Sequence, residues 1–526
     1  MPITPTYPGI YIEELPSSTH AITAAPTSVT VFVGYTHPFK TNSANWGNAI
    51  ELFSFTDYEA AFGGFYLSNV IDVNVAYAVN EFFLNGGSVA YVVALQPHYR
   101  KNDGTDLGLV APASQTLHQI QFTALEPTDS VKMTVTINNI QQTVNPSDTA
   151  DVTIVYGARA ETYRKVNLIS GDPNFIDTRI NNVSSLVTIA PIPPPNYPAT
   201  FTSSTYSLTT TAPAGTVGVF SVLDFTTVFQ PDTSLDKVSI FNLLVIPGIA
   251  DNGVLSEALA FCERKRAFLI MDPPAADAAD PGAGPPPRNW VGDFVNNPAG
   301  DLGGNVAPKS TNGALYFPYL DSTDKITGTA KALPPSGFVA GIFSREDQNR
   351  GVWKAPAGLE TTVLDTTGVV ESGRMTDDRQ GTLNPIGVNC LRDFPGVGTV
   401  VFGARTLVTA NTAFQQWWYV PVRRMALFLE QTLYSNLTWV VFEPNDEPLW
   451  VAIRTSIESF MLSLFHQGAF QGSTPSQAFQ VKCDSSTTTQ QDIDNGIVNI
   501  IVAFAPLKPA EFVIIKIAQL AGQTQS

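Results

Sequence analysis

Histidine, cysteine and charge are all scarce in this chain, and each shortage excludes a class of function. The five histidines are His20, His37, His98, His118 and His466. None belongs to an H-E-x-x-H motif or a Cys/His cluster, so a zinc site has no ligand set to draw on. No G-x-S-x-G elbow occurs, and no His stands where a nucleophilic triad would place it. The three cysteines, Cys262, Cys390 and Cys483, lie far apart with no CxxC spacing. They read as reduced, buried residues of a protein made in the cytosol. Charged residues are 14% of the chain, against about 25% in ordinary soluble domains. Acids outnumber bases, giving a net charge of −17. That balance argues against nucleic acid and against acidic membrane surfaces as ligands, since both need a basic footprint. No apolar run approaches the length of a bilayer span. The first residues lack a basic stretch followed by an apolar one, so no signal peptide is evident.

Two weak motifs fail on inspection. "GGNVAPKS" (303–310) nearly matches a phosphate-binding loop, but Pro308 stands where the second glycine belongs. Proline has no amide hydrogen to offer a phosphate. Asp272 closes an expected strand, a position often used in α/β enzymes. The prolines after it favour a turn-initiating aspartate instead. The sequence offers no cofactor site, no metal site and no catalytic constellation, which points to surfaces as the carriers of function.

The 526 residues, 44% of them hydrophobic, suffice for three or more domains with real cores. So few charges fit either a surface largely covered by other protein or one rich in Thr, Asn and Gln. "TSVTVFVGYT" (27–36) predicts a buried strand, residues 72–87 a helix stopped by Gly86 and Gly87, and "SVAYVVAL" (88–95) a second strand. Strand, helix, strand suggests a parallel sheet. Residues 97–235 are rich in Thr, Ser, Asn and Pro with short alternating runs, and read as a β-rich insertion on the outside of the fold. The α/β pattern resumes with a strand over 239–249, a helix over 254–266, and strands over 267–274 and 314–320.

The last third carries the strongest patterns. Val422, Met425, Ala426, Leu429, Leu433 and Leu437 share a helical face over 422–437. "TWVVFEP" (438–444) predicts a strand. Asn445 is placed to cap a helix whose stripe is Leu449, Trp450, Ile453, Ile457, Phe460, Met461, Leu464 and Phe465. Strands are expected over 496–506 and 510–520. At the other end, "YPGIYIEELPSS" (7–18) alternates as a strand does and is bracketed by Pro2, Pro5, Pro8 and Pro16. No turn and second strand follow it, so its backbone groups have no local partner.

Several blocks together resemble the contractile tail sheath family, which includes the sheaths of contractile phages and of extracellular injection systems. They are "YPGIYIEELPS", "NEFFLNGGSVAYVVAL" (80–95), "PPSGFVAGIFSREDQNRGVWKAPAG" (334–358) and "LNPIGVNCLRDFPGVGTVVFGARTL" (383–407). In the last third they are "YVPVRRMALFLEQTL" (419–433), "WVVFEPNDEPLW" (439–450), "FQVKCD" (479–484) and "VAFAPLKPAEFVIIKIAQ" (502–519). Residues 97–235 and about 275–310 fit loosely.

The resemblance implies an α/β, subtilisin-like sheath domain, an α+β C-terminal domain, a β-rich insertion and extended terminal arms. The label describes a fold and carries no protease activity. The implied division is an exchange arm over 1–22, sheath domain over 23–96 and 236–380, insertion over 97–235, and C-terminal domain over 381–526. The implied interlock residues are Tyr7, Gly9, Ile10, Tyr11, Ile12 and Glu13 in the arm. At the C-terminus they are Val502, Phe504, Glu511, Phe512, Val513, Ile514, Ile515 and Ile517. These strands would leave their own subunit and complete a sheet in a neighbour.

The implied partners are further copies of the chain in stacked, sixfold rings, an inner tube protein, baseplate and terminator proteins, and a paralogous sheath protein. The implied assembly takes place in the bacterial cytoplasm, for a phage tail or a released injection particle. Two rivals stay open on sequence grounds. One is a static capsid-like or surface-layer shell. The other is an α/β hydrolase with an unusual site, which a His–Ser or His–Asp pair in a cleft would revive.

Overall fold

A computed structural model describes residues 20–117, 120–141, 149–167, 172–190, 202–274, 308–370 and 374–516. The chain divides into two compact units. One comprises Pro26–Asn349 and Pro356–Trp418; the other comprises Met1–Ala25, Arg350–Ala355 and Tyr419–Ser526.

The first unit is built on one eight-stranded sheet. Its strands are β1 (Thr30–Tyr35), β2 (Ala49–Leu52), β3 (Ala90–Leu95), β4 (Leu243–Val245), β5 (Phe268–Met271), β6 (Gly313–Phe317), β7 (Val388–Phe394) and β8 (Gly398–Val401). Their order is β2-β3-β1-β4-β5-β6-β7-β8. The six inner strands are mutually parallel, and β2 and β8 join antiparallel at the edges. Every residue of β1, β4 and β5 is buried. Such continuous apolar runs mark strands covered on both faces.

The helices supply that cover. The expected helix over 72–87 is α1 (Asn74–Leu84), and the one over 254–266 is α2 (Asn252–Lys265), capped by the Asp251 carboxylate. A third, α3 (Ser336–Arg350), buries nearly every residue of its first nine, so no polar face marks it in the sequence. It lies close on α1. A Cβ at Gly337 would sit 2.6 Å from the Ala78 backbone, and one at Gly341 2.6 Å from the Phe82 carbonyl oxygen.

The stretch between β3 and β4 contains the expected β-rich insertion. One antiparallel sheet runs 159–167, 149–156, 133–141, 204–208 in spatial order, and a second runs 187–189, 120–124, 114–117. They share a core with Phe122, Val135, Val152, Ile154 and Tyr156, closed by the short helix Ile176–Asn181. A buried charge cluster ties this sandwich to the end of β1. Glu126 accepts from His37 Nε2 at 3.1 Å, Lys40 Nζ at 2.6 Å and Arg159 Nη1 at 2.9 Å. Burial alone would raise the Glu126 carboxyl, but its hydrogen bond with His37 and the nearby Lys40 charge hold it down at about 2. Burial lowers His37 and keeps it neutral, with Nδ1 accepting from the Phe39 and Lys40 amides. Glu126→Ala leaves these donors without their acceptor. It is expected to lower the stability of this unit by about 3 kcal/mol, measured by urea denaturation.

The second unit holds α4 (Val420–Asn436) and α5 (Glu447–His466). Met425, Leu429, Leu449, Trp450, Ile453, Ile457, Met461 and Leu464 meet in its core. A two-stranded antiparallel sheet of β9 (Phe479–Lys482) and β10 (Ile501–Phe504) lies over them.

Four expectations change here. Residues 438–444 form no strand: Thr438–Val440 is a single 3₁₀ turn, and no strand lies alongside to pair with it. The cap of α5 is Asp446, which accepts from the Leu449 amide. Asn445 instead accepts from Trp450 Nε1 at 2.8 Å and donates to the Ile497 carbonyl at 3.0 Å. The strand expected over 496–506 shrinks to β10. The strand expected over 510–520 is absent from the part described, 510–516, where the backbone has no ladder. The division into units falls after Trp418, because β7 and β8 pair into the main sheet.

Candidate functional site

Asp272 is the residue of the first unit that most resembles catalytic chemistry. It follows β5 at the carboxyl end of the sheet and is buried. Its Oδ2 accepts from the Gly248 amide at 2.9 Å and the Ser336 hydroxyl at 2.5 Å, and its Oδ1 accepts from the Ser336 amide at 2.8 Å. Burial pushes its carboxyl up to about 7 and the Asp72 charge adds to this, while the three hydrogen bonds oppose it. The arrangement ties the first residue of α3 to the loop after β4. It is a structural role beyond the turn initiation expected from the sequence.

The histidines are dispersed. His37 serves Glu126, His98 lies 2.9 Å from Asp106 Oδ2, His466 closes α5, and His118 lies outside the described residues. Cys262, Cys390 and Cys483 are free and buried. Among the described residues, no group of three or more His, Cys, Asp or Glu is placed to hold a metal. No described helix is long and apolar enough to cross a membrane.

The second unit presents a different kind of site. Residues 507–516 run from the end of β10 without a strand partner. Within them Phe512, Val513, Ile514 and Ile515 are 74, 81, 81 and 79% exposed. Four consecutive large apolar side chains in water are unusual on a finished surface. Next to them in the chain, β9 and β10 form a sheet of only two strands among the described residues. Val481, Val502, Phe479 and Phe504 turn toward the unit's own core, and among the described residues no strand lies beside the outer edges of the pair. Uncovered edges of this kind accept further strands.

The implied interlock residues therefore separate. Val502 and Phe504 pack inward, Glu511 is half-buried, and Phe512–Ile515 are uncovered. Tyr7, Gly9, Ile10, Tyr11, Ile12, Glu13 and Ile517 lie outside the described residues. The described chain begins against this same unit. The His20 ring stacks on Trp439 at 3.9 Å. Thr23 exchanges hydrogen bonds with the Asn436 side chain at 2.9 and 2.8 Å, and the Ala25 amide donates to Thr432 Oγ1 at 3.1 Å. Residues 20–25 are thus fixed along the last turns of α4.

One further residue stands out. Phe442, in the loop between α4 and α5, is fully exposed and has a left-handed backbone, φ 74°. Nothing in the sequence marks it, since "VVFEP" reads as an ordinary apolar strand.

Comparison with known proteins agrees with this geometry. The family model of the phage tail sheath protein central domain matches residues 234–407, and that of the phage tail sheath C-terminal domain matches 412–519. The tail sheath protein of Vibrio phage KVP40 is 25% identical over 209 residues, 39% of this chain and 29% of that protein. The chain thus matches less than two thirds of that relative's length. Over the whole fold, the chain is similar to a protein in the cryo-EM structure of the anti-feeding prophage baseplate. The TM-score is 0.58 at 23% identity, covering 98% of this chain and 99% of the other. It is equally similar, with a TM-score of 0.58 at 22% identity and 98% coverage of both chains, to the contracted sheath complex of the extracellular contractile injection system PVC. With two family models spanning more than half of its length, one through the main sheet and one through the unit that carries the uncovered segment, this chain belongs to the phage tail sheath family.

Proposed function

We propose that the chain is the structural subunit of a contractile sheath. It polymerises around an inner tube and shortens to drive that tube through a target envelope. The observation that carries this reading is the uncovered run Phe512–Ile515 next in the chain to a sheet that has only two strands among the described residues. An extended segment and an incomplete sheet on one subunit are complementary halves of a strand-exchange contact between copies. A donor and an acceptor at different places on the surface make a heterologous interface, which propagates into an open helical array.

In this reading the interlock strands are 7–13 and 511–517, and the body is a subtilisin-like α/β domain used as a rigid block. The insertion faces outward, and the low charge leaves body surfaces free to exchange contacts as the array shortens. The partners are further copies of the chain, an inner tube, a baseplate and terminator proteins, with assembly in the bacterial cytoplasm. The particle is a phage tail or an extracellular injection system. No cofactor or hydrolysis is needed, because the energy is stored when the extended form is built.

The test is to express the chain with and without its tube protein and image the products by negative stain. With the tube, long sheaths are expected that shorten on mild urea treatment. Without it, the chain is expected to stay unassembled or to form short, wide tubes. Particles of one fixed length under all conditions would favour a static shell and overturn the contractile reading.

A further inference from the structure

Phe442 pays for its position twice. A bulky side chain on a left-handed backbone is disfavoured sterically, and its ring lies wholly in water, 102% exposed. The loop around it is nonetheless well tied. The Val441 amide donates to the Thr438 carbonyl and the Glu443 amide to the Val440 carbonyl, at 3.3 and 3.2 Å. Asn445 bridges Trp450 and Ile497, and Asp446 caps α5. Trp439 and Val440, three and two residues earlier, pack against the core. A loop anchored on both sides that turns its largest side chain outward is preorganised for a contact.

We propose that Phe442 is the anchor on which a second copy of this chain docks its segment 508–516. The inference rests on the polymer-forming role given above. Two observations select this occupant. Apart from Phe442, the most exposed large apolar side chains among the described residues are Phe512–Ile515 of the same unit, so within one subunit Phe442 leaves them uncovered. The charges are also complementary. Glu443, Asp446 and Glu447 are exposed beside Phe442, whereas exposed Lys508 and Lys516 bracket the apolar run and outnumber the half-buried Glu511 between them. In a chain with 29 basic residues against 46 acidic ones, that pairing directs the run toward the acidic loop. The contact gives the array an apolar lock with a fixed register, since one aromatic ring seats at one place along the segment.

The experiment compares wild type, Phe442→Ala and Phe442→Gly as full chains. Glycine accepts the left-handed backbone without strain. The isolated Gly variant is therefore expected to melt at or slightly above the wild-type temperature. Both variants are expected to need at least a tenfold higher concentration to polymerise. A Phe442→Cys, Ile514→Cys double variant should form a ladder of disulfide-linked oligomers in assembled particles and none as a monomer. The native cysteines, all buried, do not compete. Variants that fold and polymerise like wild type overturn the proposal and leave the sheath reading intact. So does a defect seen only when the tube is present, which would make the tube the occupant. A melting temperature lowered by more than about 5 °C in the Gly variant would make Phe442 a folding residue and also overturn the proposal. Wild type that forms no particles, with or without its tube, removes the sheath reading and this proposal together.

Discussion

Truncating the chain after Leu507 is expected to give a folded, soluble subunit that no longer polymerises. The described part of the removed segment contributes little to its own unit, since Phe512–Ile515 are largely exposed and the backbone of 510–516 pairs with no strand. In an assembled array the balance reverses. About five backbone hydrogen bonds at a net ~0.5–1.5 kcal/mol each would form along the accepting edge. Burying each of four large apolar side chains adds ~1.5–3 kcal/mol. Ordering the segment costs ~1–2 kcal/mol per residue and offsets much of this gain. A surplus of only ~4 kcal/mol still changes an equilibrium by about a thousandfold. The check is paired: thermal melting of the dilute truncated chain, and sedimentation at concentrations where the full chain pellets. Unchanged melting with loss of the pellet is the expected pair. Pelleting at the wild-type concentration would mean that the uncovered run is not the link between copies. Deleting residues 1–19 gives a second arm to the same test, because the described chain starts fixed at Trp439 of the same unit.

How far the sequence revealed this architecture depends on where the physics was local. Strands β1, β3 and β5 are continuous apolar runs, and α4 and α5 carry apolar stripes at helical spacing, so each was legible from pattern. The α3 helix was not, because it is enclosed on nearly all sides over its first half and has no polar face to reveal its period. The run 438–444 misled for the opposite reason. Trp439, Val440 and Phe442 have strand-like residue types, but Trp439 and Val440 go to the core while Phe442 goes to water, and the turn of backbone at Phe442 decides this. A positive φ on phenylalanine leaves no trace in composition. The interlock was half legible. "AEFVIIKIAQL" reads as an apolar strand, yet its described part, 510–516, forms no ladder. It has no strand partner among the described residues, and in the proposed exchange that partner is another copy. The Glu126 cluster was invisible, since its members come from positions 37, 40, 126 and 159 and only the folded insertion brings them together.

Stability of the first unit is expected to peak at mildly acidic pH and to fall steadily from about pH 5 to pH 8. Three carboxyl groups set the alkaline limb. Glu81, on α1, is fully buried, and its Oε2 has no hydrogen-bond donor. Burial pushes it up to about 9 and the adjacent Asp365 raises it further, against the Asn80 amide and the Lys325 charge. Burial likewise raises Asp72 to about 6 and Asp272 to about 7. In each case the native state keeps a proton that the unfolded chain releases near pH 4. The stabilisation from that proton is complete below the unfolded value and is lost as the pH rises toward the folded one. Each such group contributes a slope of about 1.4 kcal/mol per pH unit within its window. Glu81 spans the whole range from 5 to 8, so it alone accounts for roughly 4 kcal/mol. Glu126 works in the other direction. Its carboxyl is held at about 2, so its contribution is present above pH 4.5 and is lost as the pH falls toward 2. The two limbs enclose a maximum near pH 4. Urea denaturation of the full chain at pH 5, 6, 7 and 8 measures the alkaline limb directly. Glu81→Gln, which keeps a donor facing Asp365 and removes the titration, should flatten it by about half. A wild-type curve that is level or rises over this range would contradict the assignment. So would a Gln variant with the wild-type slope, because the general repulsion of a chain with net charge −17 would then be the cause rather than a protonated Glu81.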